Sequence, residues 1–330
     1  MTTNTCPVLV LGGGPGGEHD VSVRSADGVA TALADATVHE VPVEPHRITL
    51  PREHCNEALE QVRQTIEDER IEVVFPVLHG RWGEGGALQT ILELFGIPYV
   101  GSDPAASALA MDKARLKAQL LEAGLPTPRY AVVGPDDPLR LQPPIVLKPV
   151  DDGSSVDLEI CTTAEAVAEA RERLHARRTR LLAEQFIAGR ELTIGLIDGR
   201  PLPALEIVPA APFYDYAAKY ERDDTRYVFR PDIPGPIIEE AQRIAVDAWR
   251  LSGARDLARV DFMIDENGPW FLELNTMPGF TAQSLLPMAA ERAGMPMPAL
   301  CGALVESALA RRGTCATAGT FKNEGPIGRS

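Results

Sequence analysis

The sequence predicts an α/β fold in which an N-terminal doubly wound parallel sheet is followed by two α+β units, and three observations carry that prediction. Residues 6–102 alternate apolar, strand-like runs with helix-spaced segments, the pattern of a parallel sheet wrapped by helices. The run "PPIVLKPVDDGSSVDLEI" places two strands around a Gly-Ser-Ser turn. The run "LARVDFMIDENGPWFLELN" reads as two more strands joined by a tight turn at "DENG".

In chain order, "CPVLVLGGG" is a short apolar strand ending in glycines, and "DVSVRSADGVATALAD" has helical spacing. "TVHEVPVE" is the expected second strand, "NEALEQVRQTIEDER" a helix and "IEVVFPVLHG" a third strand. The helix "GALQTILELFG" and the short strand "PYVGS" close a first unit, residues 1–102. "DPAASALAMDKARLKAQLLEAGLPTP" predicts one helix that runs until Gly124 and Pro126 stop it. The two strands around Gly-Ser-Ser, the charged helix "AEAVAEARERLHARR" and the strand "LLAEQFI" complete a second unit, residues 103–183. The third unit, residues 184–312, holds "ELTIGLIDG", "PLPALEIVP", the tyrosine-rich loop "FYDYAAKYERDDTRY", the helix "IIEEAQRIAVDAWRLSG", the strand pair and a last helix ending in "ALVESALARR". Residues 313–330 are small and polar and are expected to be a disordered tail.

Composition narrows the class of function. A 330-residue chain with 45% hydrophobic and 24% charged residues has enough apolar side chains for several cores. Its net charge of −15 argues against nucleic acid as a partner. Neither a long apolar span nor a basic leader is visible, so a cytoplasmic protein with no membrane partner is expected. Cys6, Cys55, Cys161, Cys301 and Cys315 are widely spaced and suggest neither disulfides nor zinc. Only Lys113, Lys117, Lys148, Lys219 and Lys322 are lysines, which marks those few as candidates for specific work.

"GGGPGG" satisfies GxGxxG through Gly12, Gly14 and Gly17, with Glu40 or Glu44 near the place of a ribose-binding acid. Glu18 and Asp20, however, stand at the helix start where a pyrophosphate would bind, and like charges repel there. Glu18 has two readings, a helix-capping carboxylate or a receptor for a substrate ammonium. The "DGSSVD" turn can aim backbone N–H groups at an anion. Lys148, inside an apolar run, would be costly to bury without an anionic partner. If the last two strands pair as a hairpin, Asp261 comes opposite Glu273 and Asn275, and a few hard oxygens of this kind suit magnesium. Arg259 falls on the face of Asp261 and could stabilise developing charge.

These stretches, together with "GEHDVSVRSA", "VFPVLHGRWGEGGALQTILELFGIPYVGSDPAASALAMDKARLK", "EQFIAGRELTIG", "FYDYAAKY" and "LELNTMPGFTAQSLLPMAAERAG", resemble the D-alanine–D-alanine ligases of the ATP-grasp superfamily, from about Val8 to Gly294. The resemblance implies a three-domain ATP-grasp fold: a Rossmann-like N-terminal domain, a central lid and a C-terminal subdomain carrying the metal and catalytic site. It implies ligation of two D-alanines with ATP through an acyl phosphate, for peptidoglycan synthesis, by a cytoplasmic homodimer.

Position by position, Lys113, Lys148, Ser154, Ser155 and Lys219 would meet the ATP phosphates, and Glu184, Phe186, Ile187 and Glu191 the adenosine. Asp261, Glu273 and Asn275 would hold two magnesium ions, which manganese can replace. Glu18, in a network with Ser154 and Tyr220, would bind the first D-alanine, with His79 near the same pocket. Arg259 and the Gly279 amide would form an oxyanion hole, and Ser284 would hold the second D-alanine's carboxylate. Tyr220 favours an amine over a hydroxy acid as second substrate.

Three departures stand out. Asp157 replaces a usual glycine and adds negative charge near the expected triphosphate cover, Gly16 replaces a frequent serine, and Gly85 an aspartate. A ligase for another amino acid or carboxylate pair, and a nucleotide-binding paralogue without turnover, are the rival expectations.

Overall fold

The structure, a computed structural model, describes residues 5–35, 43–53, 55–154, 156–209 and 224–311. Strand β1 (Cys6–Gly13) leads into helix α1 (His19–Leu33), then β2 (Val43–Leu50), α2 (Cys55–Asp68), β3 (Val73–Pro76), α3 (Gly80–Glu84) and α4 (Ala87–Leu94). The three strands form a parallel sheet in the order β2-β1-β3. The sequence places the second strand over residues 37–44; the structure places β2 over 43–50, and residues 36–42 lie outside the described residues. Pro45, which reads as a strand breaker, is accommodated because β2 is an edge strand, where a missing N–H costs no ladder bond. The predicted strand at "PYVGS" is reduced to a single parallel bridge between Val74 and Tyr99.

Helices α5 (Pro104–Met111) and α6 (Lys113–Glu122) follow, where the sequence predicts one continuous helix. Asp112 separates them with ψ 89°, and its carboxylate caps α6 by accepting the Arg115 N–H at 3.0 Å. Strands β4 (Tyr130–Val133), β5 (Ile145–Pro149) and β6 (Glu159–Cys161), helix α7 (Ala164–His175) and strand β7 (Leu181–Gln185) build a four-stranded antiparallel sheet in the order β4-β7-β5-β6. Strand β4 has no counterpart in the sequence reading.

The third sheet is also antiparallel. It contains β8 (Arg190–Ile197), β9 (Arg200–Pro201), β10 (Leu205–Val208), β11 (Arg226–Phe229), β12 (Leu257–Asp265) and β13 (Gly268–Asn275), with α8 (Gly235–Ser252) packed on it. Helices α9 (Leu285–Arg292) and α10 (Met297–Ala310) end the described chain.

Two cores decide how the units meet. Helices α5 and α6, grouped with the central segment in sequence, bury Ala110, Leu116 and Leu120 against Leu192, Ile244 and Phe271 of the third unit. A second core joins α1 and β3 to α9 and α10, with Phe75 edge-on to Phe280 at 5.4 Å. No single described helix is long and apolar enough to cross a membrane. Cys55, Cys161 and Cys301 are buried free thiols and Cys6 is buried; Cys315 and the tail lie outside the described residues.

Candidate active site

Strands of both antiparallel sheets line a cavity of about 650 Å³. Val146, Ile160, Phe186, Ile187, Met263 and Leu272 give it an apolar wall, while Lys113, Lys148, Asp261 and Glu273 give it a charged one. Glu191 also lines it, beside Arg190, which forks onto Glu206 at 2.6 Å. Such a lining can take a flat aromatic group and a polyanion side by side.

The helix break explains one of the lysines. Because α6 restarts at Lys113, whose N–H donates to Val150 O at 3.0 Å, its side chain leaves the helix N-terminus beside β5. Lys113 Nζ donates to the Asp152 carbonyl at 2.5 Å and pairs with Glu273 at 3.2 Å. One turn later Lys117, fully buried, donates to Thr127 Oγ1 at 2.7 Å and Phe271 O at 3.0 Å, and pairs with Glu184 at 2.7 Å. Lys148 meets the other oxygen of Glu184.

Burial pushes the Lys117 ammonium down to about 8 against the pull of Glu184. Burial also opposes ionisation of Glu184, but Lys117 and Lys148 outweigh it and hold the carboxyl below its ordinary range. Lys148 is likewise raised, because Glu184 and Glu273 overcome its burial. Two cations on one anion leave a local excess of positive charge at this wall of the cavity, suited to a phosphate group. Glu184, grouped in sequence with the adenosine residues, thus turns its carboxylate onto lysines, while Phe186 N–H is spent on Pro144 O at 3.1 Å.

The hairpin forms as the sequence predicts. Asp261 is directly opposite Glu273, and Arg259 opposite Asn275. Arg259 forks onto Asp261 at 2.9 and 2.8 Å, and the Asn275 amide donates to Asp261 at 3.2 Å. Thr193 Oγ1 adds a hydrogen bond to Asp261 at 2.6 Å. Among the described residues no three His, Cys, Asp or Glu side chains gather as a metal cluster, so the candidate set is two carboxylates and one amide oxygen. That set fits magnesium, which takes one or two carboxylates and completes its shell with water and substrate phosphate. Arg259 and Lys113 neutralise the same carboxylates here, the charge that a divalent cation would also neutralise.

The glycine turn after β1 brings up the third component. Gly13 has φ +83°, and a Cβ there would lie 2.3 Å from Leu50 O, so only glycine fits. Beyond it Glu18 precedes α1 without a side-chain capping bond, and its carboxylate accepts the Ser154 hydroxyl from the distant phosphate-type turn. Asp20, by contrast, pairs with Arg52 at 2.8 Å.

The turn after β13 is anchored from the N-terminal unit. His79 Nδ1 donates to Met277 O at 3.1 Å, the Met277 N–H donates to Glu84 at 3.3 Å, and the Phe280 N–H donates to Ser25 Oγ at 3.1 Å. Gly279 sits against Ser284, whose Oγ a Cβ would meet at 2.8 Å. Ser284 Oγ also accepts the Thr281 N–H at 3.0 Å. His79 is buried, which lowers its basicity, and its Nε2 has no hydrogen-bond partner among the described residues. Burial, reinforced by the nearby Glu18, pushes the Glu84 carboxyl up to about 8.

The sequence predicts Asp157 as added charge at the phosphate cover. The structure instead pairs it with Arg177 at 2.8 Å and Arg178 at 2.9 Å, and Asp157 is not among the residues lining the cavity. Sequence reasoning missed Glu84, Ser25 and Thr193. Lys117 carried a signal, its membership in the set of five lysines. Ser155, Lys219 and Tyr220 lie outside the described residues.

Comparison with known proteins agrees with this layout. Residues 7–102 match the family described as D-ala D-ala ligase N-terminus, and residues 123–306 the D-ala D-ala ligase C-terminus. A D-alanine–D-alanine ligase of Bordetella avium is 40% identical over 322 residues, covering 93% of this chain and 96% of the relative. One from Azoarcus sp. is 40% identical, covering 91% and 97%. A crystal structure of the Bacillus anthracis ligase complexed with ATP superposes with TM-score 0.79 at 29% identity, covering 94% of this chain and 99% of that one. The Coxiella burnetii ligase gives TM-score 0.78 at 26% identity, covering 94% and 96%.

Proposed function

The chain belongs to the D-alanine–D-alanine ligase family, and from that premise we propose which of its residues carry the ATP-dependent joining of two D-alanines. The product serves peptidoglycan precursor synthesis. The observation that carries this reading is the convergence of Asp261, Glu273 and Lys113 on the charged side of the cavity, with Lys113 paired to Glu273 and Arg259 paired to Asp261.

ATP places its base against the apolar wall at Phe186, Ile187 and Met263, with Glu191 near the ribose, and its phosphates toward Lys113 and Lys148. Ser154 and its neighbour Ser155 cover the phosphates. Asp261, Glu273 and Asn275 would hold magnesium, and the chemistry it would supply there is neutralisation of phosphate oxygens.

Glu18 takes the ammonium of the first D-alanine, and the lone pair on His79 Nε2 offers a second acceptor at that pocket. A carboxylate oxygen of this D-alanine attacks the γ-phosphorus and ADP leaves, with Lys219 reaching the transferred group. The amine of the second D-alanine then attacks the acyl carbon, and phosphate departs. Negative charge on the tetrahedral oxygen is met by the Arg259 guanidinium and the Gly279 N–H, donors worth roughly 3 kcal/mol each when aimed at developing charge. Ser284 holds the second carboxylate, and Tyr220 belongs with Glu18 and Ser154. The enzyme works in the cytoplasm, where ATP is available, as a homodimer that sedimentation can check.

Phosphate release measured across D- and L-amino acids tests this reading. D-alanine should give saturable release that L-alanine does not, and product analysis should find the dipeptide. Release driven only by another amino acid would overturn the assignment.

A further inference from the structure

The turn between β5 and β6 is held from outside the cavity by ion pairs that the reaction does not use. Arg178 lies just beyond α7 and reaches back to two carboxylates, Asp152 at 2.6 Å and Asp157 at 2.9 Å. Arg177 adds a second contact to Asp157 at 2.8 Å. Asp157 has φ +57°, a left-handed conformation that Asp tolerates better than most residues but still at a cost. A residue kept in that conformation and tied to two arginines fixes the far end of the turn.

Asp152 fixes the near end, with three of its groups engaged. One carboxylate oxygen accepts the Gly153 N–H at 2.9 Å, the other accepts Arg178, and the carbonyl accepts Lys113 at 2.5 Å. Gly153 and Val156, between the two anchors, line the cavity. Arg178 therefore connects a solvent-facing ion pair to the backbone that covers the nucleotide and to the lysine beneath it.

We propose that Arg178, clasped between Asp152 and Asp157, is a positioning residue that sets the glycine turn in place before ATP arrives and so determines affinity for the nucleotide. The proposal rests on the reading of the cavity as the ATP site. Ordering the turn beforehand removes part of the entropy that ATP would otherwise have to supply on binding. Arg is suited to this role because its planar fork can meet two carboxylates at once, which an ammonium cannot do with the same geometry.

The test compares wild type with Arg178→Gln, Asp157→Asn, the double variant and Arg178→Lys. Asn keeps the tolerance for positive φ and removes only the charge. ATP binding is read by calorimetry without D-alanine, and turnover by phosphate release at saturating D-alanine. Each single change should raise the Kd for ATP about fivefold, which at 1.4 kcal/mol per tenfold is about 1 kcal/mol. kcat should stay within about twofold, and the double variant should lose less than the sum of the two singles, since both changes break the shared Arg178–Asp157 contact. Arg178→Lys should recover part of the loss.

Unchanged ATP affinity in both singles, a fall in kcat alone, or fully additive losses would each overturn the clasp. If Arg178→Gln folds poorly by thermal unfolding, Asp157→Asn decides alone. Because binding is read without D-alanine, a wild-type chain inactive toward D-alanine would sink the ligase reading while ATP binding still judged the clasp.

Discussion

On the surface of α2, Arg63 sits between two carboxylates, Glu60 at 2.6 Å and Glu67 at 2.5 Å. At the cavity wall the signs are reversed, and Glu184 sits between Lys117 at 2.7 Å and Lys148. The two networks have similar geometry and different access to water. Arg63 is 40% exposed and its charge is hydrated whether or not the partners are present; Glu184 is 3% exposed and depends on its lysines for every charge interaction that water would otherwise supply. A short distance in a structure therefore says little about strength until burial is known. The Arg178 clasp stands between these extremes, with Arg178 30% and Asp157 10% exposed.

The largest effect should come from breaking the buried network. Lys117→Met should lower the unfolding free energy by about 3–5 kcal/mol in urea titration, because it leaves the 3% exposed Glu184 short of a cation. A loss under about 1 kcal/mol would mean that water enters behind Glu184 and that the contrast with α2 is false.

Arg259→Ala comes next and moves the comparison from stability to chemistry. Turnover should fall by about 10²–10³, the loss typical of one oxyanion donor, with ATP affinity nearly retained. Undiminished phosphate release would remove Arg259 from the reaction.

Glu84→Gln tests a buried carboxyl with no cation bonded to it. Its folded-state value of about 8 lies above the ordinary 4.5, so between the two the folded chain holds a proton that the unfolded chain has released. Stability contributed by this group must then fall as pH rises across that window. Glu84→Gln should flatten the decline in denaturation midpoints measured from about pH 5 to about pH 8, and an unchanged slope would show that Glu84 is ionised throughout.

Arg63→Ala should do the least. No change in thermal midpoint is expected, and a clear drop would show that exposed pairs on α2 carry weight that their hydration argues against.

What could be read from sequence follows the same divide between local and distant causes. Asp261, Glu273 and Asn275 were legible because strand alternation and a four-residue turn fix their relations within one hairpin. The break at Asp112 was not, because "MDKARLK" contains no glycine or proline and every residue in it tolerates a helix. Only the cap on Arg115 and the bond from Lys113 to Val150 reveal it, and Val150 lies just past the end of β5. Glu84 was invisible for a stronger reason: beside the local N–H of Gly80, it accepts one that lies 193 residues away at Met277. Likewise the β2 boundary depended on whether Pro45 sat at an edge, which is a property of the finished sheet.

The anchoring of the turn after β13 carries a consequence for recombination between homologous genes. The amide at Gly279 is encoded near the end of the chain, yet its neighbours Met277 and Phe280 are bonded to Ser25, His79 and Glu84, encoded near the start. A crossover near residue 102, where the match to the family's N-terminal region ends, would join a turn from one parent to a cradle from another. Chimeras made there should inherit activity as a matched set of these residues rather than as two interchangeable halves.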